Sequence, residues 1–171
     1  MNAKPDNPAR ILALDYGRAR IGLAIADSQA ALAQPLGTLD RVNRNEDMRR
    51  LRELLREHRV RQIVVGLPLR LDGTRGEMAE EAARFAQRLR KQFGLPVELV
   101  DERLTSWEAE RLLEEQHGRT LHPPPGRKHK KEKESLGVDA VAAALILKDY
   151  LLQRQSLQEP NRNSGASNPR G

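Results

Sequence analysis

Ile11-Leu12-Ala13-Leu14-Asp15-Tyr16-Gly17-Arg18-Ala19-Arg20-Ile21-Gly22-Leu23-Ala24-Ile25-Ala26-Asp27 is the stretch on which the fold turns. Two apolar runs flank a short turn containing Gly17, the pattern of two strands joined closely enough to pair. Asp is depleted from strands, yet Asp15 continues the face set by Ile11 and Ala13 in an otherwise apolar segment.

Working outward, a third, weaker strand is expected near Leu36–Val42. From Glu46 to Arg59 the positions Met48, Leu51, Leu54 and Leu55 recur at helical spacing, and the apolar run Gln62–Gly66 follows. Met78, Ala82, Phe85, Ala86, Leu89 and Phe93 mark a second amphipathic helix, and Pro96–Val100 another strand. Thr105-Ser106-Trp107-Glu108 fits a capping box, predicting a helix to about Gln116. Residues 118–134 carry three successive prolines and a Lys/Arg run, which reads as a mobile loop; Leu136–Leu152 reads as the last helix. Residues 1–9 and 154–171 are polar tails by composition. The order predicts one α/β domain over residues 10–153, a mixed sheet flanked by helices, its later strands joining the first in parallel through helical crossovers.

The chain has 171 residues, no Cys and four His. Disulfide scaffolds and thiolate zinc sites are excluded, and His117 and His122 lack a third partner at ligand spacing. No segment reads as a signal peptide or a membrane span, which predicts a soluble, cytoplasmic protein with no membrane partner. The net charge of +6 favours a polyanion, and residues 119–134 concentrate it, with six Lys/Arg (Arg119, Arg127, Lys128, Lys130, Lys131, Lys133) against two Glu.

In open α/β sheets, ligands bind beyond the carboxyl ends of parallel strands. Asp15, Gly66 and Asp101-Glu102 all fall at such ends, and Asp139 lies on the face of the last helix shared by Leu136, Ala140, Ala143, Ile146, Leu147 and Tyr150. Carboxylates there are costly to bury unless paired, hydrogen-bonded or bound to metal. With no Cys and no clustered His, hard oxygen ligands point to Mg²⁺ or Mn²⁺. Taken singly, each signal has a plainer reading: Asp15 as a turn residue, Asp139 as a first-turn helix acid, Asp101 or Glu102 as an Arg103 partner, Thr105 as an N-cap, Gly17 and Gly22 as backbone relief, and Gly66-Leu67-Pro68 as a strand exit.

Taken together, Asp15-Tyr16-Gly17-Arg18-Ala19-Arg20-Ile21-Gly22, Val64-Val65-Gly66-Leu67-Pro68 with Asp72-Gly73-Thr74, Asp101-Glu102-Arg103-Leu104-Thr105, and Val138-Asp139-Ala140 with the apolar run to Leu147 resemble the YqgF family, also called RuvX, over about residues 10–152. The resemblance implies an RNase H-like fold related to the Holliday junction resolvase RuvC. Two activities are ascribed to that family, junction resolution and nucleolytic maturation of the 5′ end of pre-16S ribosomal RNA. It places Asp15, Glu102 and Asp139 on an acidic triad that holds metal and catalyses hydrolysis. It also implies a sheet whose first strand is flanked by the strands ending at Gly66 and Glu102. Ser106 stands where a second Thr is common, and the basic insert and C-terminal tail are peculiar to this chain.

Arg18, Arg20 and Arg103, beside the carboxylates, and Arg127, Lys128, Lys130 and Lys131 in the basic loop are candidates for holding nucleic acid; each of the first three could equally be an ion-pair partner. A two-lobed kinase or ATPase of the actin and hexokinase type needs more chain than 171 residues. A non-catalytic ribosome-assembly protein would not need the acidic positions. Aromatics at 3% offer few stacking platforms and little material for a symmetric dimer, which favours a monomer acting on precursor ribosomal RNA, with the ribosomal particle as a partner, over branched DNA.

Overall fold

A computed structural model describes residues 9–29, 32–103 and 138–158. Eight elements follow in order: β1 (Arg10–Tyr16), β2 (Arg20–Asp27), β3 (Gln34–Asp40), α1 (Arg44–Glu57), β4 (Val60–Leu67), α2 (Glu77–Phe93), β5 (Val97–Asp101) and α3 (Val138–Gln158). The five strands form one mixed sheet in the order β3-β2-β1-β4-β5. β1 pairs antiparallel with β2 and parallel with β4, while β5 runs parallel on the far side of β4.

This order corrects one expectation. A strand has two edges, and the three-residue link from β1 to β2 commits one of them to hairpin pairing. Only the other is left for a parallel neighbour, and β4 takes it. The strand leading to Glu102 therefore sits beside β4, not beside β1. A second correction concerns the C-terminus: α3 runs on to Gln158, so residues 154–158, read as tail, are helical. The third strand lies two residues earlier than expected, and the helix expected over 105–116 and the loop 118–134 lie outside the described residues.

Local chemistry accounts for the helix ends. The Asn43 side chain caps α1 by accepting from the Glu46 amide at 2.9 Å, and Glu46 and Asp47 place negative charge in the first turn. α2 stops at Gly94, whose φ of 63° suits a residue without Cβ, and its amide donates to the Arg90 carbonyl.

The sheet's two faces differ in bulk. Leu12, Leu14, Ile21, Leu23, Ile63 and Val65 meet α1 and α2 in a large core with Met48, Leu51, Phe85 and Leu89. The other face carries Ile11, Ala13, Ala24, Ala26, Val64 and Val100 beneath Ala143, Ile146, Leu147 and Tyr150 of α3. Short side chains on that face let α3 lie close across β2 and β1.

Candidate active site

Alternation along β1 puts Asp15 on the α3 face, in register with Gly22 of β2. Leu14 pairs with Val65, so the end of β1 lies beside Gly66 of β4. Glu102 follows directly on β5 and is tied to β4 by its amide, which donates to the Leu67 carbonyl at 3.2 Å. Asp139 enters from above, in the first turn of α3. Four elements thus converge on one edge of the sheet, where strands β1, β4 and β5 end.

Two glycines form the floor. A Cβ at Gly66 would lie 2.8 Å from the Glu102 carboxyl carbon and 2.6 Å from Ile146 Cδ1, with the Glu102 Oε1 nearer still. A Cβ at Gly22 would lie 2.5 Å from the Asp139 carbonyl carbon, with its oxygen nearer still. Gly66 makes room for a side chain and Gly22 for the backbone that opens α3. Neither has positive φ, so space, not backbone conformation, explains them.

Burial, reinforced by the Asp139 charge, raises the Asp15 pKa to about 6. Burial, then Asp15, then Asp101 raise that of Glu102 to about 7. The carboxylates form a row in which Asp15 feels Asp139 and Glu102 feels Asp15. Among the described residues no group of three such side chains is placed to hold a metal ion as it stands. Asp139 is instead engaged by Arg20, whose Nε lies 3.2 Å from its Oδ2. The donor set still suits a hard divalent cation. Two desolvated carboxylates, Asp15 and Glu102, repel each other there, Glu102 in space that a methyl at Gly66 would fill, and a cation would relieve their repulsion.

Of the predicted phosphate-binding arginines, Arg18 pairs with Glu81 at 2.8 Å and Glu77 at 3.1 Å on α2, and Arg103 pairs with Asp101 at 2.6 Å. Both are held at the rim by these pairs, as Arg20 is by Asp139. Arg127, Lys128, Lys130 and Lys131 lie outside the described residues. Sequence reasoning missed Arg41 and Asp47. Asp47 stands four residues before Leu51 on the buried stripe of α1, and an acid in that stripe was the available signal.

Comparison with known proteins gives the family and the fold. Residues 9–153 match the model of a family described as "RuvX: Holliday junction resolvase". A protein of Koribacter versatilis named "Putative pre-16S rRNA nuclease" is 45% identical over 145 residues, covering 85% of this chain and 88% of that one. One of the same name from Chloroflexus aurantiacus is 43% identical over 157 residues, covering 92% and 94%. Among solved structures, RuvC of Thermus thermophilus superposes with a TM-score of 0.51 at 15% identity, covering 86% of this chain and 96% of that chain; this likeness concerns the fold, which is RNase H-like. With a family model spanning nearly all of the sheet and helices, and relatives this similar along most of their length, the chain belongs to the RuvX family.

Proposed function

We propose that this protein is a metal-dependent endonuclease that hydrolyses phosphodiester bonds, and that its natural substrate is the 5′ precursor region of 16S ribosomal RNA. The observation that carries the reading is the pair Asp15 and Glu102, desolvated together at the sheet edge with both carboxyls pushed up toward neutrality. The fold gains nothing from such a pair, since burying like charges opposes folding. Perturbed carboxylates at the carboxyl ends of strands are what a reaction site requires.

Asp15, in the middle of the row, would be the central ligand for Mg²⁺ or Mn²⁺, with Glu102 and Asp139 completing the site. A cation bound there supplies Lewis-acid stabilisation of charge on the phosphoryl oxygens and a more acidic attacking water. The chain's own groups do the rest. Gly66 leaves the Glu102 carboxylate room at the floor, and Gly22 lets the first turn of α3 carry Asp139 down to the edge. Arg20, half exposed at 51%, holds Asp139 at rest and is accessible to a substrate phosphate. No side chain needs to form a covalent intermediate.

Relatives named for pre-16S rRNA support RNA as the substrate. So does the surface: among the described residues the large exposed apolar side chains are Leu32, Val42 and Leu71 in three separate connecting segments and Val138, Leu152 and Leu157 on α3, where Val138 stands at the opposite end of the helix from the other two, a scatter that suits a monomer. A monomer has one site, enough for a single strand, with the ribosomal particle supplying accuracy; such a substrate places the enzyme in the cytoplasm. Among the described residues no helix is long and apolar enough to cross a membrane. The second reading, junction resolution, is favoured by the family description and the RuvC-like fold. It requires two sites facing one symmetric substrate, hence a dimer.

The test offers one preparation both 5′-extended 16S precursor RNA and a four-way DNA junction, with and without Mg²⁺ or Mn²⁺, alongside a solution mass measurement. Metal-dependent cleavage of the RNA by a monomer is expected. A stable dimer that cuts only junctions would reverse the substrate assignment, and no cleavage of either would overturn the nuclease reading.

A further inference from the structure

We infer that Arg41, held by the buried carboxylate of Asp47, is a positioning residue that fixes the β1–β2 turn and, through it, the strand end bearing Asp15. Its bearing on catalysis rests on the nuclease reading above; its effect on the turn does not.

Asp47 is only 2% exposed, and its two oxygens serve different partners. Oδ1 accepts from the Val42 amide at 3.1 Å, just ahead of the α1 cap, while Oδ2 accepts from Arg41 Nε at 3.1 Å. Arg41 is thereby oriented, and its Nη1 reaches across to the turn, donating to the Tyr16 hydroxyl at 2.9 Å and the Gly17 carbonyl at 3.2 Å. The guanidinium also lies 4.9 Å from the centre of the Tyr16 ring, which packs on Phe85 at 4.8 Å between centroids. The Arg41 amide donates to the Ala19 carbonyl at 2.9 Å. One residue thus binds Tyr16, Gly17 and Ala19, the positions immediately after Asp15.

A helix cap alone needs only the Oδ1 bond. The second oxygen holds Arg41 Nε and so aims Nη1 at the turn, and a buried charge pair is retained only where its geometry is well satisfied. Planarity matters as well: the guanidinium engages Asp47 through Nε and the Tyr16 hydroxyl and Gly17 carbonyl through Nη1, a span that the single nitrogen of an ammonium cannot bridge. Tyr16 and Gly17 lie one and two residues from Asp15 on the same strand end. Slack in this turn therefore reaches the Asp15 carboxylate directly, whereas Glu102 and Asp139 are held by other elements.

The test compares wild type with Arg41→Lys, Asp47→Asn and Tyr16→Phe in the full chain. Backbone order parameters from NMR relaxation report the turn, and cleavage kinetics report the site. Arg41→Lys keeps the charge on Asp47 and the α1 cap, so the fold should stand. Order parameters at Gly17, Arg18 and Ala19 should drop from roughly 0.85 toward 0.6, while those of Leu12 to Leu14 stay unchanged. On the nuclease reading, kcat should fall about 10-fold with KM within two-fold, as expected when a group is misplaced only slightly. Tyr16→Phe, losing one of the bonds, should show a smaller effect in the same direction. Should Asp47→Asn unfold, Arg41→Lys and Tyr16→Phe still decide the matter. An unaltered turn in Arg41→Lys, loosening spread evenly over all strands, or a loosened turn with unchanged kcat would each overturn the inference. Absence of cleavage by wild type would overturn the nuclease reading alone, with the order parameters still deciding what holds the turn.

Discussion

Replacing Gly66 with alanine asks whether the space under Glu102 is functional. The added methyl would stand 2.8 Å from the Glu102 carboxyl carbon, with Oε1 closer, against an ordinary contact of 3.4 Å or more. The carboxyl carbon must retreat by at least about 0.6 Å and the oxygen by more, a displacement on the order of 1 Å at the reacting edge. Misplacement of that size costs about 100-fold in rate, or about 2.7 kcal/mol of transition-state stabilisation. The stability cost is smaller, about 1–2 kcal/mol, because the Glu102 carboxylate and the Ile146 terminal methyl, 2.6 Å from the new Cβ, can both rotate aside. The assay is single-turnover cleavage at saturating Mg²⁺ together with thermal unfolding, in a cycle with Glu102→Ala. On the Glu102→Ala background the methyl should have almost no further effect on rate, since the group it displaces is gone. Gly66→Ala cleaving at the wild-type rate, or an equal loss on both backgrounds, would refute the reasoning.

Gly22→Ala should behave in the opposite sense: its methyl meets the Asp139 backbone, which cannot rotate aside, so α3 must lift and stability should fall by about 3 kcal/mol in urea titration. In metal-free protein the stability should decline as pH rises from about 4 to 7. Asp15 and Glu102 have folded pKa values of about 6 and 7, above the ordinary 3.8 and 4.5, so across that window the folded state binds more protons than the unfolded. Burial, the larger cause of both shifts, acts on each group separately and only their mutual repulsion is shared, so the loss should total about 3–6 kcal/mol, be restored by millimolar Mg²⁺ and shrink in Asp15→Asn. Neutralising Arg127, Lys128, Lys130, Lys131 and Lys133 together should weaken RNA binding and lower the salt slope by roughly 0.7 per lost contact, with kcat little changed; an unaltered slope would leave that segment a linker.

The candidate site was legible where a residue contradicted its surroundings. Asp15 ends an apolar strand on the buried face, and Asp139 opens an apolar helix, and the structure brings both to one edge with Glu102. Other features depend on the third dimension. The strand order inferred from family likeness placed the wrong neighbour beside β1, although the short β1–β2 link already committed one edge of that strand. The end of α3 differs from the expectation because Arg154, Gln155 and Ser156 look like a tail, yet none of them breaks a helix and Pro160 is the first residue that would. Gly22 and Gly66 could be seen as glycines but not as the floor of a site, since their reason is the approach of another element. Asp47 could be noticed as an acid in the apolar stripe of α1, but its pairing with Arg41, six residues away, and the reach of Arg41 to the turn show only in three dimensions.

The central claim, that Asp15, Glu102 and Asp139 together carry out metal-dependent phosphodiester hydrolysis, is met most directly by Asp15→Asn. This isosteric change removes one charge from the middle of the row and leaves its packing in place. Cleavage of 5′-extended 16S precursor RNA is measured with wild type and Asp15→Asn in Mg²⁺ and in Mn²⁺, with the fold of each verified by circular dichroism and thermal unfolding. The account predicts a rate lower by about 1000-fold or more in both metals, at equal or greater metal-free stability. Cleavage by well-folded Asp15→Asn at the wild-type rate would contradict it.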